Sequence, residues 1–76
     1  MFEYTFTKPD LEIDIPVSFD YDNAEKQVIQ KPEYTHIIVN YPNGFIFESI
    51  KYSDKMVIKT NRPLIEIEQG KFTVLL

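Results

Sequence analysis

Carboxylates are the most regularly spaced reactive groups in this chain. Asp10, Glu12 and Asp14 occupy alternate positions, and Asp20 and Asp22 repeat the spacing farther on. On an extended strand such residues share one side at steps of about 6.6 Å. A row of this kind guards an edge strand against pairing with other chains. Alternatively, it imitates the evenly spaced charges of a phosphate backbone, and would then block a nucleic-acid-binding enzyme. The guarded edge is the simpler reading. Asp20, Asp22, Asn23 and Glu25 also share the opening spacing of a calcium loop. However, Ala24 stands at a ligand position, and Glu25 stands where the sharp turn needs glycine.

Other chemistry is thinly represented. His36 is the single histidine and cysteine is absent, so a zinc site would have to be completed by several carboxylates. None of Ser18, Ser49 and Ser53 lies in a nucleophile-elbow sequence. The two glycines do not form a phosphate-cradling loop. These features predict a non-enzymatic protein with no catalytic residue, no cofactor and no metal. Binding to another protein is the expected role, through an acidic stretch or an aromatic patch. The residues that would carry it are Asp10, Glu12, Asp14, Asp20 and Asp22, together with Tyr34, Tyr41 and Tyr52.

Charge and composition narrow the partners. The net charge is −4, but residues 1–25 hold seven acids and one base, while residues 26–76 hold five acids and seven bases. Overall acidity disfavours nonspecific contact with nucleic acid or an anionic membrane. A content of 43% hydrophobic residues, with 6 Phe and 5 Tyr, predicts a folded core. The length of 76 residues is enough for one domain, spanning 1–76. Such a short chain has a modest core, and association with other copies is one way to add stability. The lack of cysteine and of a basic, apolar leader at Met1-Phe2-Glu3-Tyr4 predicts a cytoplasmic protein. No apolar stretch reaches the ~20 residues of a membrane span.

Alternation of apolar and polar residues sets the elements that must hold these groups. Phe2, Tyr4 and Phe6 alternate with Glu3, Thr5 and Thr7. Apolar residues fill every odd position from Leu11 to Tyr21, but one straight strand over residues 10–22 would reach about 43 Å. Pro16 lacks an amide proton and is the natural bend, which predicts two strand pieces over 10–15 and 17–21. Residues 22–30 are readable in two ways: a short helix near 23–29, or a turn followed by a strand over 27–30.

Tyr41-Pro42-Asn43-Gly44-Phe45 predicts a three-residue hairpin loop. The implied register sets Val39 opposite Phe47, His36 opposite Ile50 and Tyr34 opposite Tyr52. One face then carries Ile37, Val39, Tyr41, Phe45 and Phe47, and the other carries Ile38, Ile46 and Ile50 with Tyr34 and Tyr52. Apolar residues on both faces predict a central hairpin, or a second face covered by another chain, as in a symmetric homo-oligomer. Asn43–Phe47 resembles, over five residues, the aromatic strand of cold-shock domains, without the neighbouring lysine and second glycine of that motif. In so small a chain these aromatics are expected in the core.

A turn at Ser53-Asp54 places Glu48 opposite Lys59. A turn at Gln69-Gly70 places Glu68 opposite Lys71, with Ile67 beside Phe72 and Ile65 beside Val74 on the core face. The whole is an all-β fold, a mostly antiparallel meander of about seven strands curled into a barrel or a sandwich.

Overall fold

A computed structural model describes residues 1–7 and 11–75. Among these residues eight strands form two sheets: β1 (Phe2–Phe6), β2 (Glu12–Asp14), β3 (Glu25–Gln30), β4 (Thr35–Asn40), β5 (Ile46–Lys51), β6 (Met56–Thr60), β7 (Leu64–Glu68) and β8 (Lys71–Val74). The larger sheet runs β1-β6-β5-β4-β3 and every pair in it is antiparallel. The smaller runs β2-β8-β7, with β2 parallel to β8. The two open sheets make layers of a sandwich and do not close into a barrel.

The central hairpin follows from its turn. Tyr41 N–H donates to the Phe45 carbonyl at 2.9 Å, and Gly44 N–H donates to the Tyr41 carbonyl at 3.0 Å. Gly44 has φ +90°, a conformation that side chains resist. Pairing of Val39 with Phe47, His36 with Ile50 and Glu48 with Lys59 is observed as the turns imply.

The core lies between the layers. Phe19, Val39, Tyr41, Phe45, Ile58, Leu64 and Val74 are buried there, with Tyr4, Phe6, Phe47 and Phe72 packed against them. Phe19 meets Phe45 edge-on with centroids 5.2 Å apart, and Phe6 meets Phe72 edge-on at 5.1 Å. Of the two aromatics of the cold-shock-like segment, Phe45 is 1% exposed and belongs to this core, and Phe47 packs against it. The Tyr4 hydroxyl, from the large sheet, accepts a 2.9 Å hydrogen bond from Leu64 N–H in the small one.

Two local expectations are corrected and one open alternative is decided. Strand structure stops at Asp14, and the segment expected as a strand over 17–21 forms 3-10 turns over Val17–Phe19 and Tyr21–Asn23. The Pro16 carbonyl accepts the Phe19 N–H at 3.0 Å, and Asp20 adopts φ 65° to join the turns. Aspartate tolerates that left-handed conformation better than bulkier residues do. The turns bury Phe19 and leave Val17 96% exposed, which breaks the alternation.

Of the two readings of residues 22–30, the turn followed by a strand is the one that forms: a 3-10 turn over Tyr21–Asn23 leads into the six-residue strand β3, which begins two residues earlier than expected and pairs along the whole of β4. A helix there would leave the outer backbone groups of β4 without those partners.

The second correction lies in β7. A bulge between Glu66 and Glu68 shifts the ladder by one residue, so Leu64 opposes Val74 and Glu66 opposes Phe72. Leu64 therefore enters the core, while Ile65 and Ile67 are 41% and 54% exposed. A one-residue shift moves every side chain to the other face.

Candidate protein-binding face

The two faces of the five-stranded sheet differ in what lies over them. The large-sheet strand residues that pack into the core, Tyr4, Phe6, Val39, Phe47, Met56 and Ile58, all belong to one face by the pairing registers. The opposite face is built from alternate residues of the same strands. One row across it reads Ile29, His36, Ile50, Val57 and Thr5. The next reads Gln27, Ile38, Glu48, Lys59 and Glu3. Ile46, opposite Asn40, extends it.

Among the described residues none of the core cluster comes from this outer face. Its Ile29, Ile38, Ile46, Ile50 and Val57 are all half-buried by their strand neighbours and not fully covered. By the two-residue period, Tyr34 and Tyr52 follow on from His36 and Ile50. Their rings lie 5.6 Å apart, and Lys55 Nζ stands 5.1 Å from the Tyr52 ring centre.

A polar pair sits among these apolar side chains. His36 Nε2 lies 3.0 Å from Glu48 Oε1, and both side chains are about one-fifth exposed. They are diagonal neighbours on adjacent strands, within reach of long side chains. Lys59 Nζ lies 3.9 Å from Glu3 Oε1 at the margin of the face. The arrangement is an apolar surface with a small oriented charge pair. It offers contact area and a fixed polar anchor.

The expected site residues separate. Glu12 and Asp14 lie on the outside of the small sheet, away from the face just described. Lys71 Nζ lies 3.6 Å from Glu12 and 3.7 Å from Glu68, so positive charge interrupts the acidic row. Asp20 accepts a 2.7 Å hydrogen bond from Asn23 Nδ2, and Asp22 is exposed on the second 3-10 turn. Because residues 17–23 turn instead of extending, Asp20 and Asp22 do not prolong the row. Asp10 lies outside the described residues.

Tyr41 is also separated from Tyr34 and Tyr52. It stands at the opposite end of the hairpin and on the inner face, 6% exposed. Its ring lies 5.5 Å from Phe45 and 6.0 Å from Phe19. Burial raises the pKa of its hydroxyl above the ordinary tyrosine value, and nearby Tyr21 raises it further.

Sequence reasoning identified Ile38, Ile46 and Ile50 as a second apolar face but missed Ile29 and Val57. The signal for Ile29 was obscured by the helical reading of residues 22–30. Val57 was visible in principle, since the Ser53-Asp54 turn that pairs Glu48 with Lys59 also pairs Ile50 with Val57.

Among the described residues no three His, Cys, Asp or Glu side chains gather as a metal-binding group. No described helix is long and apolar enough to cross a membrane. Compared with protein-family models, curated proteins and solved structures, the chain matches none of them.

Proposed function

We propose that this chain is a non-enzymatic protein-binding module, an inhibitor or regulator of a larger partner, that binds through the outer face of its five-stranded sheet. The observation that carries the reading is the uncovered group of Ile29, Ile38, Ile46, Ile50 and Val57 around the His36–Glu48 pair. Each apolar side chain that a partner covers contributes about 25 cal/mol per Å² removed from water. The half-buried pair adds direction, because a partner that covers it without completing its hydrogen bonds is penalised. Phe and Tyr side chains of the core are used for packing, which supports a structural role for most of the aromatic content.

The test compares three immobilised proteins in native extract: the wild-type chain, Ile38→Lys with Ile50→Lys, and Val17→Lys. Val17 is 96% exposed and lies away from the face. The wild type and Val17→Lys retain the same defined partner, and the double variant loses it by at least about tenfold in affinity, the scale of a small hot spot. Equal retention by all three, or no defined partner for any, overturns the reading. Circular dichroism of each variant confirms that the fold is kept.

A further inference from the structure

The five-stranded sheet ends at β3, which has β4 on one side and no strand on the other among the described residues. Five of its six residues are exposed. Its hydrogen-bonding pattern follows from one bond at its end and the antiparallel alternation. Lys31 N–H donates to the Tyr34 carbonyl at 2.9 Å, so the residues paired by bonds to β4 are 31, 29, 27 and 25. The backbone groups of Lys26, Val28 and Gln30 therefore point outward. The edge lacks proline and a bulge, two of the devices that blunt exposed strands.

Side chains beside this edge are also incomplete. On the face that carries the core, Val28 is 63% exposed and its β4 partner Ile37 is 36% exposed. The small sheet does not reach them.

We infer that β3 pairs with β3 of a second copy of this chain, antiparallel about a two-fold axis through Val28. That register sets Val28 opposite Val28 of the second copy and Lys26 opposite Gln30 of the second copy. These are the residues whose backbone groups face outward, so each pair exchanges two N–H···O bonds. Ile37, Val28 and their counterparts then form one apolar strip across the joint. Glu25 stands opposite Lys31 of the second copy at both ends, and no like charges meet. Of the two neighbouring symmetric registers, the one centred on Gln27 sets Glu25 opposite Ile29 and Lys26 opposite Val28, with no charge pair, and the one centred on Ile29 sets Glu25 opposite Glu33, a like-charge pair. Charge complementarity therefore selects the Val28-centred register. The product is a ten-stranded sheet whose two outer faces are continuous. The pairing does not depend on a separate protein partner for those faces.

A single strand edge is a small interface, so the dimer is weak and measurements extend to about 1 mM protein. Sedimentation equilibrium shows the 9.0 kDa chain converting to twice that mass as concentration rises. Glu25→Lys weakens association by about tenfold, the effect of replacing two attractive pairs with two repulsive ones. Adding Lys31→Glu restores it, because the ion pairs re-form with reversed sign.

A second measurement uses the absence of native cysteine. Residues opposed in a bonded antiparallel pair have Cα atoms about 5.5 Å apart, within disulfide range. Val28→Cys forms a disulfide-linked dimer about tenfold faster than Val17→Cys under the same mild oxidant, because pairing raises its effective concentration. A mass of 9.0 kDa throughout, or equal cross-linking rates for the two cysteines, overturns the proposal. A dimer that is indifferent to the charge exchange but abolished by Ile38→Lys also overturns it and transfers self-association to the outer face.

Discussion

Tyr41 shows how a single residue's neighbours decide its chemistry. It flanks the strands of the central hairpin as Tyr34 and Tyr52 do, yet it is packed among Phe19, Phe45 and Tyr21 while they pair at the far end of the hairpin. Burial disfavours its phenolate, and the charge of an ionised Tyr21 adds to the effect, so its pKa lies above the ordinary value of 10.0. The unfolded chain therefore releases this proton more readily than the folded one. The corresponding stability is fully present below about pH 10 and is lost as pH rises through the raised folded value. Tyr41→Phe removes this contribution. Urea unfolding at about pH 9 and about pH 11 will show a smaller alkaline loss for the variant than for the wild type; an identical loss would contradict the assigned burial.

At the scale of elements, local turn chemistry and long-range packing divide the chain. The 34–52 hairpin was readable because Pro42 and Gly44 set the loop and the loop sets every rung. The last hairpin was readable only at its tip. Ile65 and Ile67 alternate with Glu66 and Glu68, which by period alone turns the isoleucines inward. The bulge reverses this above the tip, placing Leu64 against Val74 and leaving Ile65 on the outside. Leu64→Ala will therefore cost about 2–5 kcal/mol, as for a buried leucine. Ile65→Lys will change stability by no more than about 0.5 kcal/mol, as for an open surface position. Thermal and chemical denaturation of the two variants measure the difference; a large loss for Ile65→Lys would restore the unbulged register.

At the scale of the whole molecule, two layers must hold together over a small core. Tyr4 of β1 ties them directly, since its hydroxyl satisfies the Leu64 amide of β7. Tyr4→Phe keeps the ring and leaves that amide without its acceptor, at a cost of about 1–3 kcal/mol in unfolding free energy. Loss of less than about 0.5 kcal/mol would show that water replaces the hydroxyl. Hydrogen exchange at Leu64 will rise in the same variant. The layering also determines which surfaces are offered outward. The small sheet covers one side of the large one and leaves both the outer isoleucine face and the β3 edge open.

By itself, the sequence determined the all-β class, the central strands and their pairings, because alternation and turn residues act over a few neighbouring positions. Tertiary structure alone decided that residues 17–23 turn instead of extending, that β7 bulges, and which face of the sheet is covered. These choices depend on residues far apart in the chain meeting in one core: Phe19 against Tyr41 and Phe45, and Leu64 against Val74 and Tyr4. A periodic pattern specifies that a strand has two sides; only the packed neighbours specify which side faces water.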